Sequence, residues 1–166
     1  MLDPQVVLLT ILVGLTTGLG AVPALFIKGT TQRTRDILIG FSAGLMLSVT
    51  TFNLIPEAMG SAQENLPQVG VGVALGVLAL FGLSAYLPHI HGVMIPDKPL
   101  TKGMKTTLIL VAVMIMHHFP EGFATGTAYY GGVTLFGSTV ALGIALQNIP
   151  EGFIISAPLR SQGYST

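Results

Sequence analysis

Five apolar stretches dominate this 166-residue chain, and each is long enough to cross the hydrocarbon core of a bilayer as a helix. A spanning helix needs about 20 consecutive apolar residues, because each residue advances the helix by only about 1.5 Å. Hydrophobic residues make up 51% of the sequence and charged residues only 8%. The pattern predicts one all-α, polytopic membrane domain with spans near residues 5–27, 36–56, 69–88, 106–128 and 133–157.

The charge balance and the residue types exclude several other classes of protein. The formal net charge is zero and the seven Lys and Arg residues form no basic run, so the basic surface that nucleic-acid binding requires is absent. The sequence contains no cysteine, which excludes disulfides, thiolate metal sites and cysteine nucleophiles. Its 21 glycines suit close helix packing in lipid, where small residues let backbones approach each other.

The positions of the basic residues predict how the spans are oriented. Cytoplasmic loops of membrane proteins collect Lys and Arg. All seven basic residues fall in segments 28–35 and 89–105 or after the fifth span. We therefore expect an integral protein of the cell (inner) membrane with its N-terminus outside, cytoplasmic loops at 28–35 and 89–105, and a cytoplasmic C-terminal segment.

Two glutamates, Glu121 and Glu151, lie well inside the fourth and fifth predicted spans. An ionisable side chain at this depth costs about 2.5–3.5 kcal/mol on insertion scales and is typical of an ion or substrate path. Each glutamate belongs to a Pro-Glu-Gly triplet, and the two triplets are thirty residues apart. The repeat predicts equivalent polar faces on two neighbouring antiparallel helices.

Histidines and amides precede these glutamates at helical spacing. His117 and His118 stand four and three residues before Glu121, and the amide pair Gln147 and Asn148 has the same positions in the next span. Side chains three or four residues apart share one face of a helix. Paired buried carboxylates repel unless a cation or proton lies between them. Imidazole with carboxylate and amide oxygens suits Zn²⁺, Fe²⁺, Mn²⁺ or Co²⁺ better than Ca²⁺ or Mg²⁺.

A structural hydrogen bond between helices is the alternative interpretation of a single intramembrane His–Glu pair. Two such sets in adjacent spans favour a divalent-metal site instead. A membrane-embedded metalloenzyme that uses metal-bound water is a further hypothesis, which would need an open coordination position and a substrate cleft.

Three segments resemble the ZIP (Zrt-, Irt-like) family of divalent metal transporters, particularly its bacterial zinc-transporter-like branch. They are HHFPEGFATG at 117–126, QNIPEGFIISAPLRSQGYS at 147–165 and FSAGLMLSVTTFNLIPEA at 41–58. The resemblance implies an eight-helix bundle, of which this chain would supply five transmembrane helices, and metal transport toward the cytoplasm. The expected cargo is zinc first, with iron, manganese, cobalt and cadmium as further candidates. Neither enzymatic activity nor a bound cofactor is expected.

The resemblance also implies the ligands of two adjacent metal ions. His117, Glu121 and Glu151 correspond to ligands of the primary site, and Met46 on the second span is expected as an additional, softer ligand.

The adjacent site is expected to use His118 and Asn148, with the two glutamates bridging both ions. Gln147 occupies a position where many members of this branch have histidine. His118 stands where asparagine is more usual in the family, so the loss and the gain of a nitrogen ligand partly offset each other.

The sequence ends where the last three spans of the family would begin, and two interpretations are open. The chain is either a fragment of a longer transporter or a short form that assembles with itself or with a second chain supplying those spans. A transport-incompetent metal-binding or assembly subunit is the corresponding functional alternative.

Overall fold

The computed structural model describes residues 3–27, 30–63, 65–94 and 102–161, and this part of the chain contains helices but no strand. The predicted all-α class is therefore confirmed. Three helical stretches of the described chain are long and apolar enough to cross a membrane, namely Pro4–Leu25, Gln32–Ser61 and Leu135–Arg160. The helices are α1 Pro4–Ala21, α2 Gln32–Val49, α3 Ile55–Ser61, α4 Leu66–Met94, α5 Lys102–Ala128 and α6 Leu135–Ser161.

The first two helices begin at capping residues that the sequence supplies. Asp3 precedes α1, and its side chain accepts a hydrogen bond from the backbone N–H of Gln5 at 2.9 Å. Thr31 precedes α2 and accepts from the N–H of Thr34 at 3.1 Å. These side chains satisfy backbone donors that the first turn of a helix leaves without partners.

Each predicted span overlaps a helical segment, and several helices extend beyond the apolar stretches. Residues 32–35 belong to α2, and residues 89–94 and 102–105 belong to α4 and α5, where the sequence predicted cytoplasmic loops. Apolar side chains are needed only where lipid covers a helix. The helix itself can extend beyond the lipid, because its backbone hydrogen bonds are internal. Residues 28, 29 and 95–101 of the predicted loops lie outside the described residues. The orientation of the termini stays a prediction.

A π-helical turn at Thr50–Leu54 joins α2 to α3 in one continuous helical rod. Pro56 follows this turn, and it has no N–H to donate to the carbonyl of Phe52 four residues earlier. Single π-helical turns inside α-helices occur frequently at functional sites.

Helix α6 is the central element and packs against α1, α2 and α5. Val140 and Ile144 of α6 form a buried cluster with Val49 of α2 and Ala128 of α5. The contact with α1 is backbone to backbone. A Cβ atom on Gly20 would collide with the carbonyl oxygen of Ile149, which lies on α6.

Gly152 of α6 makes the reciprocal contact, because a Cβ atom there would collide with the carbonyl oxygen of Thr17 on α1. Small residues at a crossing let two membrane helices approach closely, and this approach provides the packing that holds them together. The Pro-Glu-Gly triplet of α6 is thus packed directly against α1.

Replacing Gly152 by alanine is expected to destabilise the folded protein, because the new methyl group meets backbone rather than a movable side chain. Overpacking of this kind costs about 1–3 kcal/mol. Gly122→Ala is the matched control at the equivalent position of α5, where nothing lies within 4 Å of an added Cβ. Thermal unfolding in detergent should separate the two variants, and equal stability would contradict the close contact between α1 and α6.

Candidate metal centre

Three side chains from α5 and α6 converge to form a group of potential metal ligands. His117, Glu121 and Glu151 each offer one ligand atom, and these atoms all lie within 4.8 Å of one another. Nε2 of His117 is 3.5 Å from Oε1 of Glu121 and 3.9 Å from Oε1 of Glu151. Two atoms bound to one Zn²⁺ at about 2.0–2.2 Å are roughly 3–4 Å apart, so the group needs little rearrangement to hold an ion.

The positions of these residues on two packed helices explain why they converge. His117 and Glu121 are separated by one turn of α5 and therefore share a face. Glu151 reaches the same place from α6, which packs against α5. Both glutamates are buried and His117 is half-buried, so the carboxylates are largely removed from solvent.

Four buried oxygen atoms in this region have no hydrogen-bond donor among the described residues. A buried acceptor without a partner costs about 1–3 kcal/mol, and more when it is charged. A cation bound beside the glutamates would give their oxygens a positive partner, and the combination of imidazole, carboxylate and amide ligands suits a borderline divalent metal. The site therefore fits a metal ion. The four atoms are Oε2 of Glu121, Oε1 of Gln147, Oδ1 of Asn148 and Oε2 of Glu151.

Gln147 links three helices around the glutamates. Its side-chain nitrogen donates a hydrogen bond to Oε1 of Glu121 on α5, and its side chain is almost completely buried. Its backbone carbonyl accepts a hydrogen bond from Oγ of Ser42 on α2 at 3.3 Å. Gln147 therefore stabilises one carboxylate through its amide nitrogen and leaves its amide oxygen without a donor.

Met46 of α2 is half-buried and borders the same region as His117. The two side chains line two cavities together. One cavity, of about 190 Å³, also reaches Glu121 and Gln147, and the other, of about 290 Å³, also reaches Glu151. Met46 is thus adjacent to the three-residue group, and its role as a ligand stays a prediction.

His118 and Asn148 each make a hydrogen bond to α1. Nε2 of His118 lies 3.0 Å from Oγ1 of Thr17, and 4.0 Å from Oε2 of Glu121. The side-chain nitrogen of Asn148 donates to the backbone carbonyl of Val13 at 3.2 Å. The predicted adjacent site would therefore lie on the α1 side of the glutamates, and the roles of these two residues as ligands stay predictions.

Sequence reasoning did not identify Thr17 and Ser42 as neighbours of this site. Hydroxyl side chains in membrane helices commonly donate to carbonyls of their own helix, as Thr125 does to Glu121 at 2.9 Å. Thr17 and Ser42 instead reach across to α5 and α6. No pattern within the sequence distinguishes these hydroxyls from the others, since the difference arises from helix packing.

Curated proteins that match the sequence carry the name zinc transporter ZupT. Those of Escherichia coli O127:H6 (strain E2348/69 / EPEC), O1:K1 / APEC and strain K12 / DH10B are each 37% identical to it over 123 residues, or 71% of the chain. The chain is a homologue of the ZIP-family transporters. The predicted resemblance to that family is thereby confirmed. The homology and the apolar helices together identify an integral membrane protein.

The chain spans about half the length of the curated ZIP-family relatives it matches, 48% in each case. No family model and no solved structure matches the sequence.

Replacing Gln147 by methionine is expected to destabilise the metal-free protein, because Oε1 of Glu121 then loses its donor. Leaving a buried acceptor without a partner costs about 1–3 kcal/mol. Zinc should restore much of this loss by supplying the missing positive charge. Thermal unfolding in detergent, with and without zinc, measures both effects. Gln68→Met, at an exposed position of α4, is the control, and equal stability of the two variants would contradict the role of Gln147.

Proposed function

We propose that this chain carries the ion-binding helices of a ZIP-type transporter that moves a divalent metal ion, zinc first, across the inner membrane toward the cytoplasm. The observation that carries the proposal is the group of His117, Glu121 and Glu151 on two packed helices, beside four buried oxygens without donors. The relatives are named zinc transporters, which supports zinc as the cargo and transport rather than catalysis as the activity. Iron, manganese, cobalt and cadmium are further candidate cargoes, because the affinities of such sites for divalent metals overlap.

The two cavities beside His117 and Met46 support a path through the site. Along the continuous helix of α2 and α3, the smaller cavity extends to Leu54 and the larger one to Ile39. These positions lie toward opposite ends of the continuous helix formed by α2 and α3. In the orientation that the basic residues predict, the smaller cavity is on the outer side and the larger one on the cytoplasmic side.

Transport through this path needs binding and release but no covalent chemistry. An ion that enters exchanges water for protein ligands, and the two carboxylates offset its charge in surroundings of low dielectric constant. His117 and Met46 border both cavities, so the ion would pass them on its way. Movement of one group of helices against another would then expose the ion to the opposite side, as in other secondary transporters.

The chain matches only about half of each relative, so we propose that a partner supplies the remaining spans. A second copy of the chain, or a second chain that supplies further spans, is the proposed route to a complete path. Metal binding without transport is the competing function, and direct measurement separates it from transport.

Uptake of radioactive zinc into proteoliposomes tests the proposal. The full chain should give saturable uptake, and the double variant Glu121→Gln, Glu151→Gln should abolish it because both buried carboxylates are lost. Zinc affinity in detergent should fall by more than about 100-fold in the same variant, since even loss of a residue that only orients a ligand costs about 10–100-fold. Glu57→Gln removes an exposed carboxylate of α3 and is the matched control.

The pattern of results identifies which function is correct. Zinc binding that depends on the two glutamates, without uptake, would favour a metal-binding or assembly subunit over a transporter. Absence of zinc binding by the unmodified chain, or unchanged binding by the double variant, would contradict both.

A further inference from the structure

The hydrogen bonds of His118 determine which of its two ring nitrogens carries the proton. Nδ1 of His118 lies 2.7 Å from the backbone carbonyl oxygen of Met114, one turn earlier in α5. A carbonyl oxygen only accepts, so Nδ1 carries the proton and, in the neutral ring, Nε2 holds a lone pair. Oγ1 of Thr17 is 3.0 Å from this Nε2. The hydroxyl of Thr17 therefore donates its proton to the Nε2 lone pair.

His118 is otherwise arranged as a metal ligand would be. Histidines that bind metals commonly donate their second ring N–H to a backbone carbonyl, which orients the ring. Nε2 is 4.0 Å from Oε2 of Glu121, a buried oxygen without a donor among the described residues. One ion with bonds of about 2.0–2.2 Å could join these two atoms.

Open space also lies beside His118 on its α1 side. A cavity of about 320 Å³ is bordered by Thr17 and His118, together with Gly14 and Met114. This cavity is distinct from the two that His117 borders. The cavity gives an ion access to His118 that does not pass His117.

We propose that Thr17 is a positioning residue that caps Nε2 of His118 and thereby sets the affinity of a second divalent ion, held by His118 and Glu121. The inference rests on the proposed function, because Thr17 would control how tightly the same site binds a metal ion. While the hydroxyl donates to Nε2, the lone pair is engaged and the ion must displace a hydrogen bond. When the hydroxyl turns away, Nε2 becomes available.

The released hydroxyl has an alternative partner in its own helix. Thr10 and Thr16 of α1 already donate to backbone carbonyls within that helix, at 2.9 Å and 2.6 Å. A rotated Thr17 can donate to the carbonyl of Gly14, three residues earlier, so opening the cap leaves its hydroxyl with a partner. The cost of opening is therefore the difference between two hydrogen bonds rather than the full loss of one.

The backbone of Thr17 is held in place by α6, because Gly152 packs directly against its carbonyl. Asn148 adds a hydrogen bond to the carbonyl of Val13, one turn earlier in α1. The distance between the hydroxyl and His118 is consequently set by the packing of α1 against α5 and α6. A shift of α1 relative to those helices would change how firmly Nε2 is capped.

Two substitutions of Thr17 test the cap on the full chain in detergent. Thr17→Val keeps the shape of the side chain and removes the donor, whereas Thr17→Ser keeps the donor. Nuclear magnetic resonance of isotope-labelled histidine in the metal-free protein should show a changed Nε2 signal of His118 in Thr17→Val, and the unmodified signal in Thr17→Ser. This readout reports the hydrogen bond directly and requires no metal.

Calorimetric titration with zinc measures the consequence. The affinity for the second ion should rise by about three- to tenfold in Thr17→Val, as expected for removal of one competing neutral hydrogen bond. Thr17→Ser should restore the original affinity. His118→Ala should abolish binding of the second ion, and it should do so equally when it is combined with Thr17→Val.

Other outcomes overturn the inference. A second-ion affinity that falls or does not change in Thr17→Val contradicts a capping role, and so does a Thr17→Ser variant that behaves like Thr17→Val. Binding of one ion with no second ion in any variant overturns the cap but leaves the proposed function intact. If zinc does not bind to the unmodified chain at all, both the cap and the proposed function fail.

Discussion

Two carboxylates buried against each other on neighbouring helices are the constraint on which the rest of this structure depends. Glu121 and Glu151 cannot both be charged in surroundings of low dielectric constant without compensation, since the desolvation penalty of each is several kcal/mol. The described protein groups compensate only in part. The amide of Gln147 donates to Glu121 and His117 lies near both carboxylates, yet each glutamate retains an oxygen without a donor. The two carboxylates therefore need a cation or a proton to offset their charges.

The packing of α6 against its neighbours fixes the positions of the polar side chains around the two glutamates. Gly152 follows Glu151 directly and lets α1 approach until backbone meets backbone. On the opposite side, Ser42 of α2 holds the carbonyl of Gln147. A helix so closely packed on two sides keeps its polar side chains within a small range of positions, which a metal site requires. The same contacts bring Thr17 to the edge of the site, where its hydroxyl meets His118.

Spacing within the sequence was sufficient to predict the polar faces of α5 and α6, because residues three and four apart must share a helix face whatever surrounds them. It could not predict which of the two Pro-Glu-Gly triplets packs against the backbone of another helix. Gly122 and Gly152 each follow Pro-Glu, but Gly122 has open space beside it and Gly152 has the backbone of α1. Helix-to-helix contacts of this kind depend on residues far apart in the chain. The partnership of Thr17 with His118 spans 101 positions, and no local pattern encodes it.

Zinc X-ray absorption spectroscopy of the zinc-loaded full chain tests most directly whether the buried carboxylates and histidines form a metal site. The account predicts a shell of nitrogen and oxygen atoms at about 2.0–2.2 Å with the multiple-scattering signal of imidazole. The imidazole signal should weaken in His117→Ala, because His117 is the histidine nearest to both glutamates. A shell of oxygen atoms alone, unchanged by that substitution, would mean that zinc binds elsewhere and would contradict the account.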